Sequence, residues 1–201
     1  MVTVEPLLAR YYRQNAAPIP PNPFRCEGFV RDATLAARNG VPLPIRALPA
    51  FLRALLVTDG TVTKIIEAYF WEPVHVDTLA QEFVVAAAAI PWIAVRAGER
   101  VLARHARLRG ADSGHDYAKA FSVIRPEHIP ADFRQRLIDR EIGIGALIRD
   151  SGLESYREVL DIGLEPAADG DEEGLFRTYR IFIERAPVIL ITETFPLARY
   201  R

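Results

Sequence analysis

Hydrophobic residues recur at helical spacing in three segments of the chain. Residues 48–57 (LPAFLRALLV) predict a helix that ends at a Thr-Asp-Gly turn. Residues 61–70 (TVTKIIEAYF) follow this turn, and their β-branched side chains leave helix and strand open; we interpret the segment as a helix. The stretch 129–150 predicts two short helices, because Gly143 and Gly145 interrupt it.

Six further segments alternate hydrophobic and polar residues, which is the pattern of half-buried strands. They cover residues 74–85, 100–108, 117–124, 155–162, 175–183 and 188–195. The sequence RGADSGHD between the second and third segments has the composition of a hairpin turn. Short connections between successive strands favour antiparallel pairing over a parallel α/β sheet. The pattern therefore predicts an α+β fold, a single domain with an antiparallel sheet of about six strands flanked by helices.

The amino-terminal region differs from the rest of the chain in its prolines. Two clusters, in residues 18–23 and 42–49, are expected to break regular structure. We therefore divide the chain into a proline-rich extension, residues 1–46, which packs on or leads into the domain, and the domain itself, residues 47–201. A length of 201 residues fits one compact domain.

The composition narrows the possible partners. The chain has 25 basic and 26 acidic residues, whereas nucleic-acid-binding domains usually carry a basic excess, so we expect no nucleic-acid partner. The longest apolar run, residues 83–95, is too short to span a membrane. The amino terminus has no secretory-signal pattern, and we expect a cytoplasmic protein without a membrane partner. The single cysteine, Cys26, and four scattered histidines give no metal-ligand pattern.

Two charged side chains lie on strand faces that are otherwise hydrophobic. Alternate strand residues point to the same face of a sheet. Glu193 shares its face with Ile189, Ile191 and Phe195, and Arg104 shares its face with apolar residues of the second strand. Burying an unpaired carboxylate costs several kcal/mol. Glu193 is therefore paired with an arginine, or it faces a polar cavity.

The strand before Glu193 contains two arginines on opposite faces, Arg177 and Arg180. Either of them is able to face inward. One interpretation is a structural ion pair between Glu193 and Arg104 or Arg180. The other is a cavity on one sheet face, with arginines that bind an anion and an acid that transfers protons. Strand parity leaves both interpretations open.

Four segments, in order along the chain, carry a resemblance to a known family. They are LLVTDGTVTKII (residues 55–66), RVLARHARLRG (100–110), EIGIGALI (141–148) and RTYRIFIERAPVILITETF (177–195). Together they resemble chorismate pyruvate-lyase, the 4-hydroxybenzoate synthase family. The last segment is the closest match, with R-x-x-R in one strand and T-E-x-F in the next. Val62 and Gly143 depart from the ubiquinone-pathway pattern, so the chain resembles the branch that serves secondary lipids or other natural products.

The resemblance implies a reaction and a set of site residues. The family's reaction releases pyruvate from chorismate and aromatises the ring to 4-hydroxybenzoate, without a metal or organic cofactor, in a pocket covered by two helical flaps. By this likeness Arg104 binds the ring carboxylate, and Glu193 accepts a hydrogen bond from the ring hydroxyl and assists proton transfer. The flap residues implied to contact the substrate are Val62, Thr63, Lys64, Ile144 and Gly145.

Chorismate is a dianion, so a second cation is expected for its enolpyruvyl carboxylate. Arg177, Arg180 and Lys64 all stay open for this role. Two alternative functions also stay open. One is an enzyme of the same fold that acts on isochorismate or another carboxylated intermediate. The other is a non-catalytic domain that binds a small molecule, as in the effector domains of some transcription regulators, although the first fifty residues lack the helix-turn-helix that precedes such domains.

Overall fold

The computed structural model describes residues 4–12, 31–35, 42–139, 143–165 and 173–200. The α-helices in these ranges are α1 (Val4–Tyr12), α2 (Ala50–Val57), α3 (Val62–Phe70), α4 (Ala131–Ile138) and α5 (Ile144–Ser151). The strands are β1 (Thr34–Leu35), β2 (Leu43–Pro44), β3 (Val74–Val85), β4 (Arg100–Gly110), β5 (Asp116–Ile124), β6 (Ser155–Glu165), β7 (Gly174–Ile183) and β8 (Ala186–Pro196).

The six long strands form one antiparallel sheet in the order β3-β4-β5-β8-β7-β6. Successive strands pair with each other within β3–β5 and within β6–β8. The last strand, β8, then joins the two halves by pairing with β5. Residues on β8 therefore lie at the centre of the sheet. The short strands β1 and β2 pair separately.

One face of the sheet carries two hydrophobic clusters with a polar row between them. At one end, leucines of α2 pack with Leu108 and Phe195. At the other end, residues of α4 and α5 pack with Leu102 and Ile189. Apart from Ile191, the same-face positions in between are small, polar or charged: Arg104, Ala106, Ala120, Ser122, Arg177, Tyr179 and Glu193. The middle of this face therefore offers little hydrophobic surface on which a helix could pack.

The opposite face is closed by α1 and by the segment 86–95. Tyr12 of α1 is 3% exposed, and its hydroxyl donates to the carbonyl of Phe121 at 3.0 Å. The ring of Tyr11 stacks on that of Phe121. Ile90 and Ile93 belong to the same buried cluster. The two faces of the sheet thus differ: this face carries one hydrophobic cluster under α1, whereas the other carries two clusters separated by a polar row.

The predicted α+β fold with a six-stranded antiparallel sheet flanked by helices is confirmed. Residues 62–70 are helical, as we interpreted them. Several strands extend beyond their predicted ends, since β4 continues to Gly110 and β6 to Glu165. In the described part of the chain, no helix is both long and apolar enough to cross a lipid bilayer.

The expectation of broken structure in the first fifty residues missed helix α1. Its short amphipathic pattern is weak in the sequence, and Tyr12 is buried, and Tyr11 partly buried, only because the sheet offers them a surface. The prolines at 18–23 and Cys26 lie outside the described residues. The domain boundary at residue 47 stays a prediction.

Candidate active site

A cavity of about 490 Å³ lies over the polar row of the sheet. Residues of β3, β4, β5, β7 and β8 form its floor and walls. The first turns of α3 and α5 cover it, and Arg157 of β6 lies at its side. The helices pack on the hydrophobic clusters at the two ends of the sheet face, so the space over the polar row between the clusters stays open.

Small side chains keep the floor low between two charged residues. Ala106, Ala120 and Ser122 lie between Arg104 on β4 and Glu193 on β8. Strand β5 separates the two, so the backbones of β4 and β8 are about 10 Å apart, which is two strand spacings. A slot therefore runs over β5, with the Arg104 guanidinium at one end and the Glu193 carboxylate at the other.

Arg104 is only 2% exposed, and the little surface it has lines the cavity. Its Nη2 donates to the hydroxyl oxygen of Thr78 at 2.8 Å. Thr78 lies on β3, opposite Ala106 of β4, and so approaches the guanidinium from the neighbouring strand. A guanidinium held in one plane has the fork of N–H donors that matches a carboxylate.

Each oxygen of the Glu193 carboxylate has one protein donor. Arg177 Nε donates to Oε2 at 2.8 Å, and the Tyr179 hydroxyl donates to Oε1 at 3.0 Å. Burial, and then the neighbouring carboxylate, raise the pKa of Tyr179, so it remains a donor at neutral pH. Because a carboxylate oxygen accepts more than one hydrogen bond, Glu193 is still able to accept one from a ligand in the cavity.

Arg177 is completely buried behind Glu193. Its Nη1 donates to the carbonyl oxygens of Leu55 at 2.5 Å and Thr58 at 2.8 Å. These carbonyls belong to the end of α2, where the last turn of a helix leaves acceptors without intrahelical donors. Arg177 therefore joins Glu193 to the turn that leads from α2 into α3.

Helices α3 and α5 are the two flaps over the cavity, and each presents its N-terminus to the cavity. The first-turn residues Val62 and Thr63 of α3 line it, as do Ile144 and Gly145 of α5. Neither helix has a side-chain capping bond at its N-cap position. First-turn N–H groups and the positive end of the helix dipole favour anions. The two covering helices are thus oriented to favour a negatively charged ligand.

The flaps approach each other and the sheet closely at two glycines. A Cβ atom on Gly145 would lie 3.3 Å from Thr61 Cγ2, and one on Gly143 would lie 3.2 Å from Val76 Cγ2. Both distances are shorter than ordinary carbon contacts. A larger residue at either position would push α5 away from its neighbours and open the cavity.

The charges around the cavity also favour an anion. Among the described residues, each carboxylate that lines it is paired with a cation, in the pairs Glu193–Arg177, Asp77–Arg107 and Glu67–Lys64. Three more cations line the cavity: Arg104, Arg157, and Arg149, whose carboxylate partner Asp150 lies outside the cavity lining. Positive charge therefore exceeds negative charge at the site.

Seven of the nine predicted site residues line this cavity: Val62, Thr63, Lys64, Arg104, Ile144, Gly145 and Glu193. Arg177 lies behind Glu193. Arg180 lies on the opposite sheet face, where it donates to Glu158 at 2.7 Å and to the carbonyl of Trp92 at 2.8 Å. Strand parity separates the two arginines, and neither is in position to contact a ligand in the cavity. Of the three cations that the sequence left open for the second substrate carboxylate, Arg177, Arg180 and Lys64, the cavity is lined by Lys64 alone.

The sequence analysis missed several polar residues of the cavity, among them Tyr179, Arg149 and Arg157. Tyr179 shares the parity of Arg177, so the pattern contained a signal for it. The positions of Arg149 and Arg157 depend on how α5 and the edge strand β6 pack around the cavity. No motif in the sequence carries that information.

The fold and the cavity define a domain with a cavity that favours an anion, enclosed between an antiparallel sheet and two helical flaps. The described residues contain no group of three or more His, Cys, Asp or Glu side chains suited to a metal ion. The family described as Chorismate pyruvate-lyase Rv2949c-like matches residues 56–201. The chain belongs to this family.

Two curated relatives are named chorismate pyruvate-lyase. The protein from Mycobacterium leprae is 29% identical over 160 residues, which is 75% of this chain and 76% of that protein. The protein from Mycobacterium tuberculosis is 25% identical over 176 residues, or 78% of this chain and 85% of that protein.

Solved structures share the fold at lower identity. The effector domain of PhnF from Mycobacterium smegmatis has a TM-score of 0.50 and 16% identity, and the match covers 70% of this chain and 90% of that chain. The structure of PhnF itself has a TM-score of 0.52 and 15% identity, with 72% of this chain and 67% of that chain covered. At this identity the likeness shows the fold alone.

Proposed function

We propose that this protein is a chorismate pyruvate-lyase that converts chorismate into 4-hydroxybenzoate and pyruvate. Membership of the family supports the assignment. The observation that carries it is the slot between Arg104 and Glu193, floored by small side chains and covered by two helix N-termini. A ring with a carboxylate at one end and a hydroxyl at the other matches the two ends of the slot, because the carboxylate meets the Arg104 guanidinium and the hydroxyl meets the Glu193 carboxylate.

The reaction is an elimination in which atoms and electrons balance without a further reactant. The ether bond between ring carbon C3 and the enolpyruvyl oxygen breaks, and C4 loses its hydrogen as a proton. The electrons of that C–H bond form the third ring double bond. The enolpyruvate that leaves takes up a proton and becomes pyruvate, and the ring becomes 4-hydroxybenzoate.

Arg104 and Glu193 have different tasks in this proposal. Arg104 holds the ring carboxylate through charge-assisted hydrogen bonds. Glu193 accepts the hydrogen bond of the C4 hydroxyl and assists the proton transfer at that end of the ring. Its two protein donors, Arg177 and Tyr179, fix the plane of the carboxylate before the substrate arrives. The flaps exclude water from the ring while it reacts.

The test is to incubate the purified protein with chorismate. Pyruvate is followed with lactate dehydrogenase and NADH, and 4-hydroxybenzoate is measured by chromatography. We expect equal amounts of both products. The Glu193→Gln variant should lower the turnover rate by about 100-fold or more, because general acid–base groups contribute at least that much.

Glu158→Gln is the matched control, since Glu158 is also paired with an arginine of β7 but on the opposite face of the sheet. Its turnover should stay close to that of the unaltered protein. Pyruvate without 4-hydroxybenzoate would indicate that the ring of chorismate leaves as a different product. The absence of both products from the unaltered protein would contradict the assignment.

A further inference from the structure

Outside the slot, three cations line the cavity, and two of them are already neutralised. Lys64 Nζ lies 2.6 Å from Glu67, and Arg149 Nη2 lies 2.8 Å from Asp150. Arg157 is different. Among the residues that the structure describes, no carboxylate lies within 4.0 Å of its guanidinium, and its one recorded bond is from Nη1 to the carbonyl of Asp59.

Arg157 belongs to the cavity face of the edge strand β6. It pairs with Ile181 of β7, two positions from Tyr179, so the three side chains share one face. The hydroxyl of Tyr179 donates to Glu193. Arg157 therefore lies at the Glu193 end of the slot, across the sheet from Arg104.

This position matches the second charge of the proposed substrate. The enolpyruvyl ether is attached to the ring carbon next to the one that bears the hydroxyl, so its carboxylate projects from the Glu193 end. A neutral carbonyl leaves the charge of a guanidinium uncompensated, and a carboxylate that binds there gains a charge-assisted hydrogen bond. Lys64 and Arg149 would first have to leave their own carboxylates.

We propose that Arg157 forms a subsite for the second carboxylate of a dicarboxylate substrate. This inference rests on the proposed function for the identity of the dianion. The subsite distinguishes substrate from product, because pyruvate carries the second carboxylate away and the remaining monocarboxylate touches Arg104 but not Arg157.

The bond to Asp59 adds a link to the flap. Asp59 lies in the turn between α2 and α3, so a carboxylate bound to Arg157 is connected through one side chain to the flap above it. The monocarboxylate product does not gain this contact.

Two stable ligands distinguish recognition of the second carboxylate from recognition of the ring carboxylate. The probes are 3-[(1-carboxyvinyl)oxy]benzoate, which carries both carboxylates on an aromatic ring, and 4-hydroxybenzoate, which carries one. Their affinities are measured by titration calorimetry with the unaltered protein, Arg157→Gln and Arg149→Gln. In Arg157→Gln the dicarboxylate should bind about 10- to 100-fold more weakly, the usual effect of losing a charged hydrogen bond. The affinity for 4-hydroxybenzoate should change by less than about twofold.

Arg149→Gln is the control for a cation of the same cavity that has its own carboxylate partner. It should lower the affinity of the dicarboxylate by less than about threefold. In the chorismate assay, Arg157→Gln should raise KM by a factor similar to the loss in dicarboxylate affinity and change kcat little. Arg157→Lys, which keeps the charge, should recover part of the affinity.

An equal loss for both ligands in Arg157→Gln would overturn the inference, and so would no loss for the dicarboxylate or an equal loss in Arg149→Gln. Failure of the lyase proposal gives a different result. In that case chorismate yields no products, while the calorimetric comparison still shows whether Arg157 recognises a second carboxylate.

Discussion

Two arginines of strand β7 form ion pairs with glutamates of the neighbouring strands, and the two pairs lie on opposite faces of the sheet. Arg177 and Glu193 are 2.8 Å apart on the cavity face, with side chains 1% and 8% exposed. Arg180 and Glu158 are 2.7 Å apart on the other face, with side chains 24% and 22% exposed. The two contact distances are nearly the same, but the surroundings differ.

The difference in burial determines what else each pair must contact. Charges removed from water require further hydrogen bonds to offset their desolvation. Arg177 has the carbonyls at the end of α2, and Glu193 has the hydroxyl of Tyr179. The partly exposed pair is also solvated by water. A buried pair is therefore a fixed structural unit, and here that unit holds one end of the cavity.

The first prediction tests the two pairs by removing the arginine of each. Arg177→Met should lower the free energy of unfolding by about 3–5 kcal/mol, because it leaves a buried carboxylate without its cation. Arg180→Met should cost about 1–2 kcal/mol, since its partner remains partly solvated. Urea unfolding of both variants, followed by circular dichroism, measures the two values.

A double variant separates stability from function on the cavity face. Arg177→Met combined with Glu193→Leu replaces the pair by apolar side chains and should be more stable than Arg177→Met alone. Its lyase activity should nevertheless be lost, because the double variant lacks the Glu193 carboxylate. Equal destabilisation by Arg177→Met and Arg180→Met would show that burial does not distinguish the pairs.

The second prediction extends the comparison to alanines on the two faces. Ala120 lies in the floor of the cavity, whereas Ala103 is fully buried in the cluster under α1. Ala120→Leu should occupy the slot between Arg104 and Glu193 and lower kcat/KM by about 100-fold, with little loss of stability. Ala103→Leu should overpack the closed face and lower stability by about 1–3 kcal/mol.

Thermal unfolding and the chorismate assay on both variants provide the four values. Retained activity in Ala120→Leu would mean that the ligand does not lie over β5. Unchanged stability in Ala103→Leu would mean that the opposite face has unfilled space.

Much of this arrangement is predictable from the sequence because strands have a simple period. Alternation located the six strands, and parity identified Arg104 and Glu193 as charges among apolar neighbours. The resemblance then added the flap residues, which parity does not reach. Seven of the nine named residues line the cavity for these two reasons.

The remaining features depend on contacts between elements that are distant in the sequence. Parity showed that Arg177 and Arg180 face opposite ways, but it did not show which face is covered by α1. Arg157 lies on an edge strand, and its role depends on the turn at Asp59, 98 residues away. Two clusters at the ends of one face and a polar row between them create the cavity, and no local segment contains that pattern.

The last prediction concerns Glu72, a surface carboxylate whose hydrogen-bond donors among the described residues do not include an arginine. Glu72 accepts hydrogen bonds from the Tyr117 hydroxyl, from the Ser113 hydroxyl at 2.7 Å, and from the backbone N–H groups of Ser113 and Asp112 at 2.9 Å. These bonds, led by that of Tyr117, lower the pKa of Glu72 to about 2. They tie the end of α3 to the turn between β4 and β5.

Because the pKa of Glu72 is lower in the folded state than in the unfolded chain, its contribution to stability is complete above about pH 5 and is lost as the pH falls toward about 2. Glu72→Gln should therefore be less stable than the unaltered protein at pH 7, and the gap should narrow as the pH is lowered. Urea unfolding at several pH values measures this gap, with the exposed Glu154→Gln as the control. A gap that stays constant with pH would mean that the ionised form of Glu72 is not the one these donors stabilise. The hydrogen bonds to Glu72 would then not depend on its negative charge, whereas Glu193 is paired with the charged guanidinium of Arg177.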